Sequence, residues 1–202
     1  MSADQTNAIA LQAKFQIDVW TLSLANPAPT HLSEDEIARA NRFKFEQDRV
    51  RWARARSAMR LILSRYAGED PMRLTFIYGK HGKPELSFAH IEFNLSHAGE
   101  WAMLAVTRGP AVGVDIERIR ENVDMSALLR RLGETDLPES TQDLYQRWTV
   151  REAKSKAAGG ALFDKPLDNV SAVELEAPAG YAAAVALVGY QPEIRYCGSG
   201  NR

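Results

Sequence analysis

GVDIERIR, residues 113–120, sets two acids one residue apart in an otherwise apolar stretch. Val114 and Ile116 alternate with Asp115 and Glu117, the period of a strand, in which residues i and i+2 share a face. The apolar pair then points into a core, and the two carboxylates project together from the opposite side. Like charges that close repel, and burying either one is costly without a partner. Two explanations fit. One is a cation between the acids; Mg²⁺ takes one or two protein carboxylates and completes its shell with water and phosphate. The other is a solvated strand face paired with Arg118 or Arg120.

Upstream of this strand, IEFNLS (91–96) and WAMLAVTR (101–108) read as two further strands, and LTFIYG (74–79) as another before a turn at HGKPEL (81–86). FQIDVWTLSL (15–24) alternates and is rich in β-branched and aromatic residues, so it reads as a strand ended by NPAPT. Ser33 with Glu36 is a capping-box pattern that opens a helix near Glu34. A second helix spans 46–67 and stops at Gly68, with Val50, Ala53, Ala58, Leu61, Ile62 and Tyr66 on its apolar face. Downstream, MSALLRRLG (125–133) reads as a short helix and ETDLPEST (134–141) as a loop. Residues 141–158 form a long helix closed by Gly159-Gly160. SAVELEA (171–177) and YAAAVALVGY (181–190) read as a strand pair across APAG, and CGSGNR as a frayed tail. WAMLAV before Gly109 and YAAAVAL before Gly189 are alike in position and composition, which hints at two similar halves divided near Gly109-Pro110.

The chain has 202 residues, a net charge of −1, 45% apolar and 25% charged residues, so it is expected to be a folded soluble protein with no bulk affinity for nucleic acid or membrane. Its one cysteine, Cys197, excludes an internal disulfide and a Cys-based zinc site. The N-terminus lacks a signal-peptide pattern and no apolar run approaches the ~20 residues of a membrane span. A cytoplasmic location is the expectation. Between Arg39 and Arg65 the arginines concentrate, a local basic field suited to an anionic ligand.

Three further features bear on the acid pair. Trp148, Glu152 and Lys156 lie four apart, along one stripe of the long helix. Glu152 could add a third carboxylate and Lys156 a cation for phosphate, or the two could form an ordinary surface pair. Trp148 reads as packing. FNLSHAG (93–99) places Ser96 and His97 at a strand end, where both can donate to phosphate. HGKP (81–84) is a tight turn in which Lys83 is either solvated or set over a base or phosphate.

In this order, GKP, FNLSHAG, GVDIE and WTVREAKSKAAG resemble the signature of the 4′-phosphopantetheinyl transferases, over residues 39–190. The nearer likeness is to the broad-specificity, surfactin-synthetase-activating type. The resemblance implies an α+β fold: a pseudo-dimer of two similar α/β halves, residues 1–109 (coenzyme A binding) and 110–202 (metal site and catalytic helix), with the active site in the cleft between them. It implies a holo-[acyl-carrier-protein] synthase type of activity. The 4′-phosphopantetheine arm of coenzyme A moves to a serine of an apo acyl or peptidyl carrier protein, and adenosine 3′,5′-bisphosphate leaves.

By the same resemblance Asp115, Glu117 and Glu152 hold Mg²⁺, and Lys156 contacts phosphate and the leaving group. His97 binds phosphate and Ser96 lies near the 3′-phosphate. Gly82, Lys83 and Pro84 line the adenine site, and Arg51 and Arg39 match the basic segment. Glu152 is also the candidate base, directly or through a metal-bound water. Arg151 stands where many relatives have lysine, Glu134 is the nearest match to an acid some relatives use as base, and an acidic carrier helix is expected to meet Arg118, Arg130, Arg131 or Arg147. A monomer is expected, since a duplicated chain builds its cleft internally. The competing readings are a catalytically idle module that binds coenzyme A or a carrier, and a Mg²⁺-dependent nucleotide diphosphate hydrolase.

Overall fold

A computed structural model describes residues 13–25, 30–79, 82–88, 90–121, 136, 138–160 and 167–198. The fold is mixed α+β. Among the described residues the order is β1 (Lys14–Ser23), α1 (Glu34–Ala40), α2 (Glu46–Ala67), β2 (Phe76–Tyr78), β3 (Pro84–Leu86), β4 (Glu92–Ala98), β5 (Trp101–Thr107), β6 (Val112–Arg118), α3 (Thr141–Ala157), β7 (Val170–Glu174), β8 (Tyr181–Val188) and β9 (Gln191–Tyr196). The expected helix at 125–133 lies outside the described residues, as do residues 134, 135 and 137 of the expected 134–141 loop.

Local chemistry sets the helix ends. Ser33 and Glu36 form the reciprocal capping box that opens α1, and Ser140 caps α3 by accepting from the Asp143 N–H. Gly68 ends α2 in the left-handed conformation, at φ 67°, where a Cβ would be strained.

Two main sheets result. One has the order β4-β5-β1-β9, antiparallel except for the parallel β1–β9 pair, and the other the antiparallel order β6-β8-β7; β2 and β3 form a separate ribbon. The last strand therefore crosses back into the first sheet. The sheets pack face to face: Ile17, Val19, Met103 and Ala105 meet Val112, Val114, Ile116, Val185 and Leu187 in one buried cluster. On the outer face of the first sheet, Leu22, Phe93, Leu104 and Val106 pack under Ala55, Ala58, Met59, Ile62 and Leu63 of α2. On the outer face of the second, Ala184 and Ala186 of β8 receive Ala153 and Ala157 of α3. The layers run α2, sheet, sheet, α3.

Two expectations are corrected. The buried stripe of α2 is rotated from the expected one: Val50, Ala53, Leu61 and Tyr66 are only partly covered, while Arg56 and Arg60 are buried. The cause is Glu36. Its carboxylate takes both guanidiniums, from Arg56 Nε at 2.5 Å and Arg60 Nε at 2.7 Å, so cations enter the core as a neutralised group. The arginine-rich segment is thus less of a free basic field than its composition suggests. Arg54 is also engaged, donating to the carbonyls of Leu24 and Ala25.

The second concerns residues 191–196, which the sequence reading left without an element. They form β9, fixed by Arg195, whose guanidinium makes a two-pronged pair with the buried Asp18 of β1. Tyr66 of α2 donates to the same carboxylate at 2.6 Å. Burial pushes the Asp18 carboxyl up, but the bonds from Arg195, Tyr66 and Gln16 outweigh it and hold it below the usual range.

Candidate active site

Gly113 determines how α3 meets β6. A Cβ there would lie 2.1 Å from the Ala153 carbonyl oxygen and 2.4 Å from the Ala157 nitrogen, so the helix rests directly on the bare backbone of the strand. Val114 and Ile116 fill the inter-sheet core on the far side, fully buried. Asp115 and Glu117 consequently face α3, which brings Glu152 and Lys156 over them.

Asp115 is 2% exposed and its two oxygens differ. Oδ1 pairs with Lys156 Nζ at 2.5 Å and accepts from Ser96 Oγ at 2.9 Å. Ser96 Oγ in turn accepts from Lys156 at 3.2 Å, and the ammonium also reaches the Val114 carbonyl at 3.4 Å. Oδ2 is buried with no hydrogen-bond partner among the described residues. An unmet carboxylate oxygen in a dry place is expensive.

The neighbouring acids feel one another. Burial raises the Glu117 carboxyl above its ordinary pKa, and the charges of Asp115 and Glu152 push it further while Lys156 opposes them. Burial likewise raises Glu152, with Asp115 adding to the rise against Lys156. Three carboxylates therefore share a field with the Lys156 ammonium, and the Arg120 guanidinium also acts on Glu117. Among the described residues no group of three or more acidic, cysteine or histidine side chains is arranged to hold a metal ion. The donors these acids offer are all oxygens, the type Mg²⁺ takes, and Mg²⁺ leaves most of its shell to water and phosphate.

Next to the acids is a cavity of about 290 Å³ whose walls include Arg39, Trp52, Gly82, Pro84, Ser96 and His97. It gathers five residues named from sequence. His97 is exposed on the edge strand β4. Arg39 lies over the Trp52 ring, 5.6 Å from its centroid. Gly82, at φ 75°, turns the chain between β2 and β3. A larger cavity, about 850 Å³, continues past Arg39 and Tyr78 along α1, and none of the acids of β6 or α3 lines it.

Two expected residues stand off this cavity. Arg51 is partly exposed, with Glu100 3.9 Å away. The Lys83 ammonium turns inward and donates to the Val112 carbonyl at 3.0 Å. Burial lowers its pKa, against Glu92 and Glu85. Trp148 is half-buried. Arg130, Arg131 and Glu134 lie outside the described residues. Asn94 escaped the sequence reading. It is buried in β4, and its Oδ1 accepts from the Val114 N–H of β6 at 2.9 Å. The available signal was an amide flanked by Phe93 and Leu95 in an apolar strand.

An acid and lysine cluster beside a pocket carrying arginine and histidine is chemistry that suits a phosphate-bearing ligand. Comparison with known proteins narrows the class. The family profile described as 4′-phosphopantetheinyl transferase, N-terminal, matches residues 22–109. The 4′-phosphopantetheinyl transferase HetI of Nostoc sp. is 34% identical over 166 residues, covering 73% of this chain and 70% of that protein. A Bacillus subtilis 4′-phosphopantetheinyl transferase is 28% identical over 165 residues, covering 74% and 73% of the two chains. AcpT of Salmonella typhimurium, also named a 4′-phosphopantetheinyl transferase, is 36% identical over 116 residues, 52% and 59% of the two chains. The chain belongs to the 4′-phosphopantetheinyl transferase family, and it is a transferase.

Proposed function

We propose that this protein transfers the 4′-phosphopantetheine arm of coenzyme A to a serine of an apo acyl or peptidyl carrier protein, with Mg²⁺, and releases adenosine 3′,5′-bisphosphate. The observation that supports this best is the Asp115–Lys156–Ser96 contact set, with Glu117 and Glu152 in its field, opening beside the cavity of Arg39, Gly82, Pro84 and His97.

Asp115, Glu117 and Glu152 would hold the Mg²⁺, whose charge offsets that of the diphosphate. The carrier serine oxygen attacks the phosphorus that bears the pantetheine arm. That phosphorus loses its bond to the bridging oxygen, which departs on the nucleotide. Little bonding to protein is needed in such a step, so placement and charge dominate. Lys156 stands where an ammonium can stabilise the departing oxygen. Glu152 is the candidate acceptor of the serine proton, directly or through a metal-bound water. His97 and Arg39 would hold phosphate, Gly82 and Pro84 would face the adenine, and Ser96 would orient Asp115 and Lys156 close to the nucleotide. Arg51 and Lys83 remain part of this nucleotide-side proposal.

The same reading treats the molecule as a monomeric pseudo-dimer, halves 1–109 and 110–202, with β9 returning to the first half and the site in the cleft between them. It assigns the broad-specificity type, acting in secondary metabolite biosynthesis in the cytoplasm. The test is a mass assay with coenzyme A, Mg²⁺ and a panel of apo carriers. One added phosphopantetheine arm on a carrier serine is expected. A panel left unlabelled, or coenzyme A broken down without a carrier, contradicts it.

A further inference from the structure

β6 carries Asp115 and Glu117 yet, among the described residues, is an edge strand paired only with β8. The backbone groups on its open side still need partners, since unpaired buried N–H and C=O groups are costly. Side chains supply three of them. Lys83 donates to the Val112 carbonyl, Asn94 accepts from the Val114 N–H, and Lys156 donates to the Val114 carbonyl. Lys83 and Asn94 come from the first half of the chain and reach across to the strand of the second.

Asn94 is the most constrained of the three. It is 7% exposed, and its bond is made to the residue next to Asp115. It stands two residues from Ser96 on β4, whose hydroxyl bonds Asp115 Oδ1. One strand thus grips the carboxylate at its backbone and at its side chain. The seven-residue ladder with β8 and the inter-sheet core already hold β6 in the fold. The Asn94 bond adds the position of β6 relative to β4, and therefore of Asp115 relative to Ser96 and His97.

We propose that Asn94 is a positioning residue: through the Val114 N–H it holds the carboxylates of β6 at the spacing from β4 that metal binding and transfer require. This rests on the transferase reading given above. Its Oδ1 bonds the backbone beside Asp115, so its effect passes through Asp115. Groups that orient metal ligands are typically worth about 10- to 100-fold in affinity or activity.

The test uses the full chain as wild type, Asn94→Leu (similar size, no acceptor) and Asn94→Asp (acceptor kept), each assayed well below its melting temperature. Mn²⁺ binding to the free protein is read by electron paramagnetic resonance, and kcat and the coenzyme A KM by carrier labelling. Asn94→Leu should lose about 10-fold or more in Mn²⁺ affinity and in kcat, with KM changed by less than about 3-fold, and Asn94→Asp should recover most of kcat. Wild-type Mn²⁺ affinity or kcat in Asn94→Leu overturns the inference, and so does an Asn94→Asp enzyme as slow as Asn94→Leu. If the leucine variant does not fold, Asn94→Ala is held to the same criteria. A wild-type protein that labels no carrier would defeat the transferase reading instead, and the Mn²⁺ comparison would still decide the role of Asn94.

Discussion

Asp115 is held by Lys156 and Ser96 through one oxygen and left unmet at the other. Asp115→Asn should therefore fold and still fail. Transfer is expected to drop on the order of 100-fold or more, since charge aimed at the reacting phosphate is lost. Carrier mass gain and circular dichroism, measured together, check it, and a folded variant with near-normal turnover would remove Asp115 from the site. On the proposed role of the ammonium at the departing oxygen, Lys156→Met should lower kcat more than it raises the coenzyme A KM; equal effects would make it a binding group only. The acids also predict a pH dependence. Glu117 and Glu152 have folded pKa values above their unfolded ones. Such groups add stability below the unfolded pKa and withdraw it as pH rises through the folded value. A divalent cation compensates the ionised forms. The rise in melting temperature caused by Mn²⁺ should therefore grow as pH passes upward through that range, and fade in acid, where protons compete. A shift that does not change with pH would contradict this.

The contact of α3 with β6 depends on a missing side chain. Gly113→Ala forces a Cβ into the backbone of Ala153 and Ala157, neither of which can swing aside. Overpacking of this kind costs about 1–3 kcal/mol. Thermal melting should show the loss, and transfer should fall with it, because Glu152 and Lys156 move away from Asp115. A variant with wild-type stability would show that the helix is not seated on the glycine. Much of this arrangement was legible beforehand. The alternation of Val114 and Ile116 with the acids fixed which face of β6 met the core, and the spacing of Glu152 and Lys156 put both on one stripe. Residues 191–196 were not legible, because QPEIRY has a proline and no clean alternation. It becomes a strand through Asp18, 177 positions away from Arg195, a contact that no local pattern encodes. Asn94 was missed for the same reason, since its partner is a backbone N–H on another sheet. Arg56 and Arg60 were misread because a buried arginine looks like a surface one until its carboxylate is located.

Across the whole molecule, two kinds of buried carboxylate pull stability in opposite directions with pH. Burial opposes ionisation at Glu36, but bonds from Arg60, the Ser33 backbone and Arg56 outweigh it and lower its pKa, as happens at Asp18. These groups contribute stability above their unfolded pKa and lose it as pH falls through the folded values. Acid unfolding should therefore be driven by the Glu36 and Asp18 clusters, while the site acids are relieved by protonation. Glu36→Ala strands two buried guanidiniums, a loss of about 3–5 kcal/mol. That is a fall in melting temperature on the order of 10 °C for a chain of this size. A melting temperature within a degree or two of wild type would show that the triad contributes little. The site itself spans the molecule, since its acids come from β6 and α3 and its serine from β4. Its unity is best tested by Mn²⁺ binding, counted by electron paramagnetic resonance with coenzyme A present, for wild type, Asp115→Asn and Glu152→Gln. One ion per wild-type chain is expected, with both variants weakened by at least about 10-fold. A Glu152→Gln protein that binds Mn²⁺ as wild type does would place the helix acid outside the metal site.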